Sequence, residues 1–330
     1  MLGYGALEGV LDMRETMDLL ERMLSHEAAG RTFAAPKFNA EFDGGALRML
    51  FAADYEAGYF ATKAYHTVKG SGARYVVSLY RLADGELLAV LDGQLITDLR
   101  TGAVSGVMAR RVPLTGAITV GVVGSGHQAS MQLASLAAVY RIESAAVYSP
   151  TPAHREAFAK DMAARLGFPV KAVDSVEAAV SGRRVVATAS GSRSSEPLLH
   201  GTWLGDCRLL CAVGNTRPYA AELDVQCLQD ASLVVADTWH AMEEAGELRH
   251  AVESGALPQS KQASLAQIVT GAVAVPKDGR VVFKSVGSAL QDLALAARYH
   301  ELLGARALAS EPQLASPRRP VHAARTSTQS

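Results

Sequence analysis

A glycine-rich turn between an apolar run and a helical pattern constrains this fold more than any other feature of the chain. The stretch VGVVGSGHQA, residues 120–129, places Gly124, Gly126 and Ala129 at the spacing G-x-G-x-x-A. Gly124 permits a tight turn, Gly126 lets the backbone approach a pyrophosphate, and Ala129 lets helix and strand pack closely. Because an apolar strand precedes the turn and a helix follows it, the pattern predicts a dinucleotide-binding Rossmann unit rather than a glycine turn without a ligand.

The residues after the second predicted strand, VYSPTPAHR at 147–155, bear on which nicotinamide cofactor binds. An aspartate or glutamate here would bond the adenosine ribose and favour NAD, and the stretch contains neither. Ser149 and Thr151 offer hydroxyl groups to a phosphate, and Arg155 offers a guanidinium. We therefore expect NADP(H), with NAD as the alternative. A second interpretation places Arg155 on a solvated helix start.

Hydrophobic periodicity divides the chain into an α+β part and an α/β part. Residues 11–28 carry apolar side chains at three- and four-residue steps, which predicts a helix. Short β-rich runs follow between residues 38 and 91, with a hairpin signal at Asp84-Gly85. Residues 96–112 predict a helix with an aspartate in its first turn. From residue 117 onward strands and helices alternate, which is typical of a parallel sheet covered on both faces.

Length, charge and cysteine content bound the function. A chain of 330 residues favours two domains. A net charge of −1 argues against a nucleic-acid partner and favours a small neutral or anionic substrate. The three cysteines, Cys207, Cys211 and Cys227, form no C-x-x-C pair and suggest free thiols in a reducing compartment. No histidine and cysteine spacing matches a zinc site, so we expect no metal.

The sequence also bears on membrane association. The N-terminal residues are rich in Asp and Glu, unlike the basic and then apolar start of a secretory signal. The longest stretch without Asp, Glu, Lys or Arg, residues 112–140, contains Gly, Ser, Gln and His and does not resemble a membrane span. We expect a soluble, cytoplasmic protein with no membrane partner.

Several segments, taken together and in order, carry a family resemblance: LDGQLITDLRTGAVSG, GVVGSGHQA, EPLLHGTWLGDCRLLCAVGNTRPYAAELD, LVVADT and FKSVGSALQDLALAA. From about Leu47 to Ala307 the chain resembles the ornithine cyclodeaminase/mu-crystallin family. The resemblance implies an α/β fold in which a Rossmann-type, doubly wound parallel sheet domain is inserted into an α+β substrate and dimerisation domain. It also implies a homodimer and nicotinamide-dependent chemistry on an amino or imino acid.

The implied domain boundaries follow from this resemblance and from the composition. Residues 1–113 form the first part of the substrate and dimerisation domain, and residues 114–286 form the dinucleotide-binding domain. Residues 287–309 form a C-terminal helix that returns to the substrate domain. From Ser310 the sequence turns to Pro, Ser, Thr, Gln and Arg, so we predict a mobile tail at 310–330.

The resemblance also assigns site residues. Lys63 matches the family lysine beside the substrate, and Arg100 matches the arginine that pairs with the substrate carboxylate. A planar guanidinium can hold a carboxylate by two parallel hydrogen bonds, and a second cation helps to orient the bound acid. The remaining matches lie near the cofactor: Thr101, Gln128, Thr188, Ser190, Val213, Asn215, Ser285 and Gly287. On their own, Thr188 and Ser190 also fit a plain strand cap, and Ser285 and Gly287 fit a turn before a helix.

The loop Gly214-Asn215-Thr216-Arg217 departs from the family pattern. Cyclodeaminases and the related alanine dehydrogenases carry an aspartate where this chain has Thr216, and that aspartate accepts a proton from the substrate amine. A threonine hydroxyl forms hydrogen bonds but is no general base at neutral pH. Mu-crystallin-like imine reductases carry a small hydroxyl residue at this place.

Three hypotheses follow. The first is an NAD(P)H-dependent reductase of cyclic ketimine carboxylates, of the pyrroline- or piperideine-2-carboxylate type. The second is an ornithine cyclodeaminase or amino-acid dehydrogenase with a displaced acid, for which Asp224 and Asp237 are candidates, although structural roles at a helix start and a strand end explain them better. The third is a crystallin-like protein that binds a nucleotide or another ligand without turnover.

Overall fold

The computed structural model describes residues 1–191 and 194–304, and these divide into two compact units. The helices are α1 (Tyr4–Leu7), α2 (Met13–Ala28), α3 (Gly93–Arg110), α4 (His127–Val139), α5 (Pro152–Leu166), α6 (Val176–Val180), α7 (Val225–Gln229), α8 (Ala241–Glu244), α9 (Gly246–Glu253), α10 (Leu265–Val269) and α11 (Ala289–Leu303). The strands are β1 (Thr32–Ala34), β2 (Phe38–Phe42), β3 (Gly45–Asp54), β4 (Tyr59–Val68), β5 (Gly72–Arg81), β6 (Leu87–Asp92), β7 (Ile118–Val123), β8 (Ile142–Tyr148), β9 (Val170–Ala172), β10 (Val185–Thr188), β11 (Leu209–Ala212), β12 (Ala231–Ala236), β13 (Gln262–Ser264) and β14 (Arg280–Lys284).

The division between the units differs from the predicted boundaries at 113/114 and 286/287. The first unit comprises Met1–Asp12, Ala29–Thr97 and the residues from Ser288, and the second comprises Met13–Ala28 and Asp98–Gly287. The boundary therefore falls inside α3, because the later part of this helix packs closely within the second unit. A Cβ at Gly102 would lie 2.8 Å from the carbonyl oxygen of Met131. The tail predicted at 310–330 lies outside the described residues.

The first unit contains an antiparallel sheet in the order β1-β3-β4-β5-β6, with β2 also paired to β3. Helix α11 packs against β3, β4 and β5. One face of the sheet is closely packed, with Ala61, Val77 and Leu79 at most 3% exposed. The predicted hairpin lies between β5 and β6, where Gly85 has a φ of 75°.

The second unit contains an eight-stranded parallel sheet in the order β13-β12-β14-β11-β10-β7-β8-β9. From β7 the chain proceeds outward through β8 and β9, and then returns to β10 on the other side of β7. The strand order reverses at this point, and ligands of open α/β sheets bind at the carboxyl ends of the strands beside such a reversal. The expected α/β architecture, with a parallel and an antiparallel sheet, is confirmed.

Helix α3 begins three residues earlier than the sequence pattern predicted. It starts at Gly93, so Asp98 lies outside its first turn. The Asp92 carboxylate accepts a hydrogen bond from the backbone N–H of Gln94 at 2.7 Å, so Asp92 is the acidic residue at the helix start.

Among residues 1–191 and 194–304, no helix has the length and apolar character needed to cross a membrane.

Candidate active site

The glycine turn after β7 has the geometry that its sequence predicts. Gly124 has a φ of 117°, and a Cβ there would lie 2.7 Å from the carbonyl oxygen of Ala189, so a side chain is excluded. Gly126 directly precedes α4, and a Cβ on it would meet no atom within 4 Å, which leaves the helix start open to a ligand. Ala129 is completely buried against the sheet. The N–H groups at the start of α4 can therefore face an anionic group.

Two buried polar atoms near this turn fit a bound cofactor. The Thr188 hydroxyl, at the carboxyl end of β10, makes no hydrogen bond within the described part of the chain. Gln128, in the first turn of α4, donates through Nε2 to Asp98 at 2.9 Å, while its Oε1 has no partner in the same residues. Because buried polar atoms are normally hydrogen-bonded, these two are suited to a polar ligand such as a dinucleotide.

Ser149 and Arg155, which follow β8, form hydrogen bonds with other groups of the protein. Ser149 shares a hydrogen bond with Ser125, Oγ to Oγ at 2.9 Å. Arg155 is buried and donates to the carbonyl of Ser149 at 3.0 Å and to the carboxylate of Asp174. The alternative that placed Arg155 on a solvated helix start is therefore wrong. Thr151 is exposed at the N-terminus of α5, and its side chain makes no capping hydrogen bond.

Arg100 of α3 lies against the segment that follows β14. Gly287 has a φ of 84°, which favours glycine, and a Cβ on it would lie 2.5 Å from Nη1 of Arg100, so the guanidinium lies directly against this backbone. The Asp237 carboxylate, just after β12, holds this segment: it accepts from Ser285 Oγ at 2.6 Å and from the N–H of Gly287 at 2.9 Å. Thr101 follows Arg100 and is buried, with its carbonyl bonded to Gln132.

Asp224 and Asp237, the candidates for a displaced acid, both have structural contacts. Asp224 caps α7 by accepting from the N–H of Cys227 at 2.9 Å, while Asp237 holds the segment beside Arg100. These contacts match the helix start and strand end that the sequence indicated.

The loop after β11 presents Thr216 to solvent directly after a buried residue. Val213 donates to the carbonyl of Thr188 at 2.9 Å, which ties the ends of β10 and β11 together. Asn215 is completely buried, whereas Thr216 is exposed. The polar group that Thr216 exposes is a hydroxyl and not a carboxylate.

In the first unit, Lys63 of β4 is buried within a polar cluster. Its Nζ donates to Thr97 Oγ1 and to Asp292 Oδ1, each at 2.7 Å, and lies 5.3 Å from the centre of the Tyr75 ring. Thr97 in turn donates to the carbonyl of Gly93, so its lone pairs are available to the ammonium. These contacts fix the direction of the Lys63 side chain.

Sequence reasoning missed four charged residues: Glu222, Glu247, Lys284 and Asp292, all of them buried. A usable signal existed for two of them. Lys284 ends β14 directly after three apolar residues, and Asp292 lies among the apolar residues of α11. A charge in such a pattern requires a buried partner.

Among the residues that the structure describes, no cluster of histidine, cysteine and acidic side chains could hold a metal ion.

Comparison with known proteins places these features in a family. The model of the ornithine cyclodeaminase/mu-crystallin family matches residues 1–305. The iminosuccinate reductase of Paracoccus denitrificans is 29% identical over 312 residues, which cover 94% of each chain. The structure of Thermococcus litoralis Δ(1)-pyrroline-2-carboxylate reductase with NADH and L-proline has a TM-score of 0.85 and 26% identity, and covers 92% of this chain and 96% of that one. An archaeal alanine dehydrogenase dimer with bound NAD has the same TM-score and identity, and covers 94% and 98%.

The acidic pair of Glu27 and Asp237 generates a pH prediction. Burial, and next the negative charge of Asp237, raise the pKa of Glu27 from 4.5 to about 7. Between these values the unfolded chain releases a proton that the folded chain keeps, so this group lowers stability as the pH rises through that window. We expect Glu27→Gln to raise the melting temperature at pH 8 clearly more than at pH 5, measured by differential scanning calorimetry. The exposed Glu8→Gln is the control, and equal shifts of the Glu27 variant at both pH values would contradict the argument.

Proposed function

Because the chain belongs to the ornithine cyclodeaminase/mu-crystallin family, we propose that it reduces the C=N bond of a cyclic imino acid with a reduced nicotinamide cofactor. The observation that carries this proposal is the exposed Thr216 at the position of the family aspartate. Cyclisation of ornithine requires deprotonation of an amine and loss of ammonia, and both steps favour a carboxylate. Reduction of a preformed cyclic imine needs only one hydride and one proton, so a hydroxyl group suffices at this position.

The proposed roles of the chain's own residues follow from their chemistry. Arg100, buried and backed by Gly287, binds the substrate carboxylate with its planar guanidinium. Lys63, whose direction is fixed by Thr97 and Asp292, supplies a second positive charge that orients the acid. Thr216 forms a hydrogen bond with the substrate. The nicotinamide, when bound, supplies the hydride.

The first test measures turnover directly. We expect the purified protein to oxidise NADPH or NADH with pyrroline-2-carboxylate or piperideine-2-carboxylate, followed at 340 nm, and to release little ammonia from ornithine. Arg100→Lys should raise the KM for the imine by about ten- to a hundredfold, because Lys cannot form the bidentate pair. Thr216→Val should reduce turnover modestly, since only one hydrogen bond is lost.

Other outcomes of this test favour the alternatives. Robust conversion of ornithine to proline with release of ammonia would make the protein a cyclodeaminase. Oxidative deamination of an amino acid would make it a dehydrogenase. Tight binding of cofactor with no turnover on either imine would indicate a binding protein. Thr216→Asp, which restores the family carboxylate, should raise ammonia release if the missing acid is what excludes the cyclodeaminase reaction.

For the cofactor, we propose a preference for NADP(H) over NAD(H). No acidic residue lies between the end of β8 and Arg155, and Ser149 and Thr151 offer hydroxyl groups there. The partner of Arg155, Asp174, has a side chain that is 94% exposed. A cofactor phosphate can therefore compete with this exposed carboxylate for the guanidinium.

The cofactor proposal predicts a selective effect of one substitution. We expect Arg155→Ala to raise the dissociation constant of NADPH by about tenfold, the loss of one charged contact, and to change that of NADH by less than twofold. Quenching of intrinsic fluorescence gives both constants. Asp174→Asn is the matched variant, and it should leave NADPH binding intact or improve it. Equal weakening for both cofactors by Arg155→Ala would rule out a phosphate contact.

We also propose that the protein forms a homodimer through the open face of its antiparallel sheet. Phe33, Phe51, Phe60 and Tyr80 form a row across four strands, with successive ring centres 5.9, 5.9 and 4.7 Å apart. Phe33 is 48% exposed, and Met49 on the same face is 41% exposed. An exposed apolar surface of this kind is typical of an interface between subunits.

The dimer proposal predicts the effect of a charge on this face. Phe33→Asp should convert a dimer into a monomer, because two copies of the carboxylate would be buried without partners. Sedimentation velocity measures the mass. Val225→Asp, at an exposed apolar position in the second unit, is the control and should remain dimeric. A Phe33→Asp variant of unchanged mass would place the interface elsewhere.

We place this activity in the cytoplasm. The support is that Cys207, Cys211 and Cys227 are buried free thiols, which suit a reducing compartment. Cell fractionation checks the location.

A further inference from the structure

A single buried carboxylate connects the loops that follow β10 and β11. Glu222 Oε1 accepts hydrogen bonds from the N–H of Ser190 at 2.8 Å and from its hydroxyl at 2.7 Å. Glu222 Oε2 accepts from the N–H groups of Gly214 at 2.8 Å and Asn215 at 3.1 Å. Four donors from two adjacent loops therefore converge on one side chain that is only 1% exposed.

The backbone at Gly214 is shaped to admit this carboxylate. A Cβ on Gly214 would lie 2.2 Å from Glu222 Oε1 and 2.4 Å from the carbonyl oxygen of Ser190. Any side chain at this position would push the two loops apart. The contact between the loops therefore depends on the absence of a side chain at Gly214 as well as on the hydrogen bonds to Glu222.

A buried ammonium lies beside Glu222 and is shared with a second carboxylate. The Nζ of Lys284, at the end of β14, lies 3.9 Å from Glu222 Oε2 and 2.7 Å from Glu247 Oε1. Glu247 belongs to α9, and its Oε2 accepts from the side chain of Asn215 at 2.8 Å. All three charged side chains are buried, so both carboxylates depend on the Lys284 ammonium for compensation.

The same cluster fixes the residues on both sides of Thr216. The Asn215 side chain donates to Glu247 and to the carbonyl of Ala220, and its Oδ1 accepts from the N–H of Arg217 at 2.9 Å. The carbonyl of Arg217 accepts in turn from the N–H of Gly246 at 3.1 Å. The exposed Thr216 therefore projects from a loop whose neighbouring residues cannot shift independently.

The other end of the connection reaches the glycine turn. The Ala189 carbonyl is the group that a Cβ on Gly124 would strike, and Ser190 follows it directly. A continuous series of contacts thus runs from Gly124 through Ala189 and Ser190 to Glu222, and from there to the loop of Thr216.

We propose that Glu222, whose charge is compensated by the Lys284 ammonium that it shares with Glu247, is a positioning residue that holds the Thr216 loop in register with the cofactor turn. The proposal rests on the reductase function stated above. Glu222 acts through the loops and touches neither substrate nor cofactor. Hydride transfer depends steeply on the distance and direction between donor and acceptor, so a small shift of one loop against the other should slow the reaction more than it weakens binding.

The key variant is Glu222→Gln, which keeps the shape and changes one acceptor oxygen into a donor NH2 group. At least one N–H group of Ser190, Gly214 or Asn215 then faces another donor. We expect kcat on the cyclic imine to fall ten- to a hundredfold, while the KM for the imine and the dissociation constant of NADPH change less than fivefold. Glu243→Gln, at an exposed position near Glu247 in sequence, is the matched control and should behave as the wild type.

A charge-restoring pair tests the role of the cluster. Lys284→Met leaves two buried carboxylates without an ammonium and should lower both the melting temperature and kcat. Adding Glu247→Gln to this variant removes one of the two carboxylates, so the cluster regains the net charge that it has in the wild type. All four hydrogen-bond donors to Glu222 are kept. The double variant should therefore recover kcat at least fivefold over Lys284→Met alone. No recovery, in a double variant with a recovered melting temperature, would contradict the assigned role of the charges.

Hydrogen–deuterium exchange tests the loops without any substrate. In Glu222→Gln, peptides that cover residues 186–191 and 212–220 should exchange at least threefold faster than in the wild type, while peptides of β7 and α4 stay unchanged. Should Glu222→Gln fail to fold, Ser190→Ala, which removes one of the four donors, should show the same change at smaller amplitude. Unchanged exchange in the loops, or unchanged kcat with a correctly folded Glu222→Gln, would overturn the proposal. A wild type with no imine turnover but with these exchange effects would refute only the proposed reaction.

Discussion

The close approach of the Gly124 turn to the Ala189 carbonyl is the constraint on which the rest of this site depends. Parallel strands end at one edge of the sheet, and their loops must share that edge without blocking the ligand. Here the absence of one Cβ lets the first turn lie against the loop after β10. That loop contacts the loop after β11 through Glu222, and the Thr216 position is thereby set. The location of the exposed Thr216 hydroxyl thus follows from a packing distance on the opposite side of the edge.

Each of the two units contains a buried ion pair. Lys63 is paired with Asp292 in the first unit, and Lys284 with Glu247 in the second. Such pairs add little net stability, because desolvation offsets much of the attraction, whereas loss of one partner costs about 3–5 kcal/mol. The arrangement therefore contributes less to the stability of the fold than to its geometry. A buried ion pair restricts the orientation of both side chains, and an ammonium that orients a substrate benefits from that restriction.

The sequence predicted the features that rest on local patterns. The glycine turn, the alternation of strands and helices after residue 117, and the absence of an acid at Thr216 are all visible within short windows. The pairs that hold the site were not predictable in the same way, because their partners are distant in the chain. Lys63 and Asp292 are separated by 229 residues. An isolated charge in an apolar pattern indicates that a partner exists, but only the fold identifies it. The start of α3 was misplaced because Asp92, the acceptor at its first turn, preceded the periodic segment.

In the proposed mechanism, the threonine at position 216 changes the reaction while the surrounding geometry is kept. The loop is held by contacts to Asn215, Gly214 and Arg217, and none of them involves the side chain of the residue between them. An aspartate or a threonine can therefore occupy this position without changing the contacts that hold the loop. What changes is the ability to take a proton from an amine. In the proposed mechanism, a carboxylate makes the amine of an amino acid a productive substrate, whereas the hydroxyl restricts the site to substrates whose C=N bond already exists. In this proposal, the contacts that hold the loop position the substrate, and the side chain at position 216 determines which reaction follows.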